Sequence, residues 1–292
     1  MRVGLALLLV ALAAPAAAQT GTPTQTNDTL IYGQRAPRWA GQLTALTANM
    51  VFGGLTAGVI QELRGGSFKD GFTRGALGGS IVYVGKRVSA ERFAGAGFAG
   101  REIAAVGSAV VRNASDARPS FERFVFPVGP VQLHVWPRQR RFDASLDVVA
   151  AGWMVYGFAE PELSFAASES LSAGTAVFRT DNRLIVNRSN RVHAGGFAAA
   201  GIIFQSFVPA WGDPFLERTL AHERVHVAQE DQLLYTIFEP ATDWLLAKVP
   251  HGPSIARRVD FNFSAELLGL LANLFPKHID RPWELEAIYL SR

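Results

Sequence analysis

The sequence predicts an α+β fold, on three observations met in order along the chain. Residues 39–118 are rich in Gly and Ala, with apolar residues at helical spacing. From Phe121 to Phe207 apolar and polar residues come close to alternation between turn-forming clusters. From Pro209 onward the spacing is helical again. The expected architecture is a small-residue helical hairpin over 39–118, an antiparallel β meander over 119–208 and a set of C-terminal helices over 209–292.

Composition sets the outer bounds. With 49% hydrophobic and 18% charged residues, the 292-residue chain can bury a sizeable core and is not composed like a disordered one. The net charge is only +3, with Lys and Arg dispersed. The densest basic run, Arg138-Gln139-Arg140-Arg141, follows Pro137 and reads as a solvated turn without an aromatic platform. Nucleic acid is therefore not an expected partner.

Residues 1–18 carry the order of features found in a signal peptide. Arg2 is the positive start, Leu5 to Ala14 an apolar run too short to span a bilayer, Pro15 a break, and Ala16-Ala17-Ala18 the small residues before cleavage. The chain has no cysteine, so neither a disulfide nor a lipid acceptor is available. The expected location is a bacterial periplasm or cell envelope. Residues 19–38, rich in Thr, Gln, Asn and Pro, read as a flexible leader.

Between Trp39 and Gln61 there is no charged residue, and Gly53-Gly54, Gly58, Gly75, Gly78-Gly79 and Gly95-Ala96-Gly97 follow at close spacing. Small residues of this kind let helices approach closely, in membranes and outside them. Arg64-Gly65-Gly66 reads as the turn of a hairpin. Gln42, Thr44, Thr47, Asn49 and Thr56 argue against a spanning helix. A packed hairpin fits better, either soluble or in peripheral contact with a membrane through residues 39–111. The glycines do not form a phosphate loop: the spacing before Gly85-Lys86 is one residue too long, and Arg87 stands where Ser or Thr is needed.

The β region begins with Phe121, Phe124, Phe126, Val128, Val131, Leu133 and Val135, interrupted at Gly129-Pro130. Further strands are expected over Leu146–Phe158, Glu162–Ala167, Gly174–Arg179, Arg183–Val186 and Gly195–Phe207. Glu160-Pro161, Asp181-Asn182 and Asn187-Arg188-Ser189-Asn190 supply the turns.

Asp213-Pro214 opens a helix, with an acceptor at the cap and Pro at the first helical position, expected to end near Glu239-Pro240. Shorter helices are expected over Ala241–Lys248, Ser264–Leu274 and Pro282–Leu290. The long helix contains His222-Glu223-Arg224-Val225-His226. Residues four apart lie one turn apart on the same face, so both imidazoles can reach one Zn²⁺ at about 2.0–2.1 Å. Glu223 is rotated aside, where it can hold a metal-activated water and act as general base. Leu216, Leu220, Val227 and Leu234 are expected to give this helix an apolar side, with the site at its edge.

A catalytic zinc needs a third protein ligand and an open position. His251 and His278 lie beside prolines in expected turns. The stronger candidates are Glu284 and Glu286, in the first turn of the helix that Pro282 opens, where the helix dipole favours carboxylates. They point in different directions, so only one can be a ligand.

His222-Glu223-x-x-His226, with Gln229 and then Glu284-Leu285-Glu286-Ala287, resembles the Glu-ligated zincins, the gluzincins, over about Trp211 to Arg292. In several such families the third ligand lies in a Glu-x-x-Ala pattern on a later helix. That resemblance makes Glu284 the ligand and puts Glu286 behind it, orienting a histidine, with Glu286 as the alternative ligand. The HExxHxxQ form resembles bacterial metallopeptidase domains of poorly defined function. Ile288 stands where the family usually has Asp, and the metzincin extension after His226 is missing.

The implied function is an exported zinc-dependent metallohydrolase acting on a peptide or protein, with Glu223 as base and the substrate laid along a sheet edge from within Phe121–Phe207. Tyr235, Tyr289 and His278 are candidates for stabilising the oxyanion. A different class remains open: a non-catalytic envelope binding or structural protein whose HExxH is fortuitous. So does a membrane-associated protease localised by a hairpin from Trp39 to Ser108.

Overall fold

The computed structural model describes residues 38–181, 184–187, 192–194, 196–206, 213–271, 274 and 281–291. The expected signal peptide and leader, the turns at Asn182 and at Arg188–Asn190, and His278 lie outside them. The fold is α+β: N-terminal helices, a mixed β region, and C-terminal helices that bear the metal-site residues.

The small-residue region forms three helices where a hairpin was expected: α1 Arg38–Leu63, α2 Phe68–Ser89 and α3 Ala96–Ser115. Glycine is required where their backbones touch. A Cβ on Gly79 would strike the Asn49 carbonyl, and one on Gly85 would meet the backbone of Ala104 in α3. Ser67 caps α2 by accepting from the Asp70 N–H, and Gly95 takes a left-handed conformation to admit α3.

β1 Phe124–Val128 and β2 Val131–Trp136 form a hairpin across Gly129-Pro130, where the alternation is interrupted, and β2 pairs antiparallel with β3 Arg141–Asp147. Arg138 lies in the short 3-10 turn Pro137–Gln139, consistent with the solvated turn expected there. The strand expected over Leu146–Phe158 is instead helix α4 Val148–Ala159. Asp147 causes the switch, its Oδ1 accepting from the N–H groups of Val149 and Ala150 at 3.1 and 3.0 Å. A continuous apolar run carries no periodicity to separate strand from helix.

The remaining chain runs β4 Ser164–Phe165, α5 Ala167–Ala173, β5 Val177–Thr180, β6 Leu184–Asn187, β7 Val192–Ala194, β8 Gly196–Ala199 and β9 Ile202–Ser206. The single strand expected over Gly195–Phe207 is thus a tight hairpin. Ala200 and Gly201, both at positive φ, make its two-residue turn.

The long helix, α6 Asp213–Leu233, continues through a π turn at Leu234–Phe238 into α7 Glu239–Leu246. Pro240 does not stop it as expected. The Glu239 N–H reaches back to the Leu234 carbonyl across the π turn, and Pro240, with no N–H to place, sits in the first turn of α7. α8 Gly252–Ala256, β10 Val259–Asp260, α9 Ser264–Leu271 and α10 Pro282–Leu290 complete the described chain.

The sheets are mixed, so the expected antiparallel meander is corrected. One sheet runs β1-β2-β3-β10, with β10 parallel to β3. The second runs β4-β5-β9-β8, with β5 parallel to β9, and β6 pairs with β7 apart from both. α4 covers one face of the second sheet, with Trp153 packed edge-on against Phe197 and Phe204. On the other face Leu220 and Val227 of α6 pack with Val177 and Ile203.

α6 is central. Val225 packs with Ala287 and Leu290 of α10, Ala228 with Val82 of α2 and Ala104 of α3. The expectation of one apolar side with the site at its edge is therefore wrong: helices and sheet cover α6 on several sides. The polar residues Glu223, Arg224, Gln229, Glu230, Asp231 and Gln232 are all buried within it. Such burial is tolerable only with partners. Asp231 forms a bidentate pair with Arg101 of α3 at 2.6 and 3.1 Å, and Arg224 donates to the Ser172 hydroxyl at 3.0 Å.

Candidate metal centre

His222 and His226 stand one turn apart on α6, and Glu284 reaches them from the first turn of α10. The arrangement follows from the packing of Val225 on Ala287 and Leu290, which holds the two helices together beside the motif. The His222 and His226 Nε2 atoms are 3.0 Å apart, and each lies 3.2 Å from Glu284 Oε2. These three donor atoms form a nearly equilateral triangle.

That triangle can be tested against zinc. Tetrahedral ligands at about 2.0–2.1 Å from a metal are about 3.3 Å from each other. The observed edges are close to that value, and an ion about 1 Å above their plane would meet all three atoms at such lengths. Two imidazoles and one carboxylate suit Zn²⁺ better than Mg²⁺ or Ca²⁺, which favour all-oxygen sites, and three protein ligands leave one position open. His222, His226 and Glu284 thus form a cluster fitted to chelate a divalent ion, as in HExxH zinc sites.

The electrostatics agree. Burial works against a charged His226, yet the carboxylates of Glu284 and Glu223 outweigh it and raise its pKa to about 10. The surroundings favour a positive charge at this point.

The tautomer of His226 is set from behind. Gln229 directs its Nε2 at the Trp283 carbonyl and Glu286 Oε2, at 3.0 and 2.7 Å. Its Oε1 therefore faces His226 Nδ1 at 2.7 Å and accepts that proton, so Nε2 is the nitrogen that would give up its proton and turn a lone pair towards a metal in the triangle.

Of the expected residues, His222, His226 and Glu284 converge. Glu286 does not join the triangle: it faces α1 and α2 and touches Gln229 instead. It lies behind His226, as the resemblance implied, with Gln229 between them. Glu223 is buried beside the site, close to Gly196, the first residue of β8. A Cβ there would lie 3.1 Å from Glu223 Cγ and 3.2 Å from its Oε1, so the strand passes close over Glu223 and a larger residue would press on its side chain.

Tyr235 is removed as an oxyanion candidate, because its buried hydroxyl is committed to Gln132. Tyr289 is buried, its ring against Gly41 of α1. His251 occupies a positive-φ position before α8 and is no part of the cluster.

A Ser–His–Asp grouping not anticipated from the sequence occurs where β2, β3 and β10 meet. Ser145 Oγ lies 2.7 Å from His134 Nε2 and also bonds Asp260. The order is wrong for a nucleophile triad, since the carboxylate holds the serine, and Arg123 meets His134 Nδ1 at 2.7 Å. Burial and Arg123 lower the His134 pKa to about 4, so it is neutral and not poised as a base near neutral pH.

Glu230 secures the β8–β9 hairpin by accepting from the Gly201 N–H at 2.6 Å. Burial raises its carboxyl from 4.5 to about 8, against the opposing pull of that hydrogen bond and of His226. The folded state then binds more protons than the unfolded one between those values, so stability falls as pH rises from about 4.5 to 8. Glu230→Gln keeps an acceptor for Gly201 and removes the titration. In metal-free protein it is expected to gain on the order of 4 kcal/mol at pH 8 and little near pH 4.5, read by denaturant unfolding. An unchanged pH slope would show that Glu230 is ionised in the fold.

Comparison with protein-family models, with curated proteins and with solved structures finds no match.

Proposed function

We propose that this chain is an exported zinc-dependent peptidase in which His222, His226 and Glu284 hold the metal and Glu223 is the general base. The observation that carries the reading is the convergence of three donor atoms within 3.0–3.2 Å of one another, with Glu223 buried alongside. A zinc ion held there supplies Lewis acidity, lowering the pKa of water and polarising a carbonyl.

The chain's own residues supply the rest. Glu223 takes the proton of the attacking water and returns it to the leaving amine. Among the described residues β8 is an edge strand, beginning beside Glu223, and its open side can pair with an extended peptide. That pairing would lay the scissile bond across the motif helix, which favours peptides over small esters.

Export rests on the composition of residues 1–18. Trp39–Leu63 is long and apolar enough to cross a membrane by length and composition. Its Gly53 lies against Gly75 and Gly79 of α2, and this contact together with its packing on α10 supports a packed helix instead, with exposed Trp39, Leu43 and Met50 available for peripheral membrane contact within 39–111.

The test is incubation of the zinc-loaded protein with a mixed peptide library, reading new amino termini by mass spectrometry. Cleavage that chelation stops and zinc restores is expected. Zinc binding without cleavage would favour a non-catalytic envelope protein.

A further inference from the structure

Lys86 lies in the middle of the fold, 2% exposed, on the glycine-rich helix α2. Its ammonium donates to Asn49 Oδ1 at 2.8 Å and to Glu286 Oε2 at 3.0 Å. Asn49, on α1, donates its amide to the Ala45 carbonyl at 2.8 Å and to Glu286 Oε1. Gln229 gives Glu286 a third donor. Every partner of Glu286 is thus a donor, so both of its oxygens act as acceptors.

This direction of hydrogen bonding reaches the metal centre. An acceptor-only Glu286, with the Trp283 carbonyl, takes both donors of the Gln229 amide and leaves Gln229 Oε1 for His226 Nδ1. We propose that Lys86, assisted by Asn49, is a positioning residue for the metal centre, acting through Glu286 and Gln229 to hold His226 Nε2 ready for the ion. The proposal rests on the zinc reading of the site.

The arrangement gives the small-residue helices a definite task. Asn49 and Lys86 meet on one carboxylate only because α1 and α2 touch backbone to backbone at Gly79. Glu286 is also two residues from Glu284 on α10, so the same contact places the helix carrying the third ligand. The N-terminal helices are therefore part of the metal site, not a separable anchor.

Lys86→Met removes the charge and keeps the bulk. Its zinc affinity, by competition with a chromophoric chelator, is expected to fall about 10–100-fold, the usual consequence of losing support behind a ligand. In metal-free protein, where both ring nitrogens of His226 carry protons, its Nδ1–H resonance is expected to lose the downfield shift of the hydrogen bond to Gln229 Oε1. Breaking one half of a buried pair also destabilises the fold, so the double variant Lys86→Met/Glu286→Gln, with neither charge, provides the control. A purely structural role predicts that the double variant recovers both stability and zinc affinity; positioning predicts that only stability returns. Wild-type affinity and an unchanged His226 Nδ1–H resonance in either variant would overturn the proposal. Failure of the wild type to bind zinc would instead sink the zinc reading, while the imidazole spectrum would still report on Lys86.

Discussion

Glu223→Gln is expected to retain zinc and lose hydrolysis. The substitution keeps the side chain's length, which matters because the backbone of Gly196 passes close over Glu223. An amide cannot accept and return the water's proton, so turnover should fall about 10²–10⁴-fold, the range for a lost general base. Metal affinity should change little, since the three donor atoms belong to His222, His226 and Glu284. Paired turnover and zinc-content measurements decide the matter. Simultaneous loss of both would make Glu223 part of the metal cradle.

The second large effect belongs to the ligands. Structural zinc sites with four protein ligands are worth about 10–16 kcal/mol, so removing one ligand here should weaken binding about 10²–10³-fold. His226→Ala does this and leaves Gln229 Oε1 without its donor and the buried Glu284 short of a partner. Glu284→Ala should match it. Glu286→Ala, acting one step further back through Gln229, should cost only about 10–100-fold. Chelator competition across these variants separates the two glutamates by magnitude, and a larger loss at Glu286 would reverse their assignment.

Different parts of the molecule were legible in the sequence for different reasons. The histidine pair was plain because helical spacing alone puts residues 222 and 226 on one face. The last helix was equally plain: Pro282 marks its start, and it spans Pro282–Leu290 as expected. The choice of Glu284 over Glu286 was not a matter of spacing, since it depends on how α10 lies against α6. It came from the resemblance, and the packing of Val225 on Ala287 and Leu290 supplies the physical cause.

Longer-range features left no local trace. Asn49 and Lys86 stand far from Glu286 in sequence, and neither belongs to a motif. Nothing in the sequence around Lys86 shows that it is buried against a carboxylate two hundred residues away. Val148–Ala159 was misassigned because an unbroken apolar run suits either a strand or a helix, and only the Asp147 cap decides. The parallel pair β5–β9 is joined through β6, β7 and β8, and the pair β3–β10 through all the elements from α4 to α8, connections that alternation within a strand cannot report.

The most direct measurement is calorimetric titration of the metal-free protein with zinc, beside Glu284→Ala. The geometry requires a single site in the wild type and a weakening of about 10²–10³-fold in the variant. No saturable binding, or equal binding by both proteins, would show that the two histidines and this carboxylate do not share an ion.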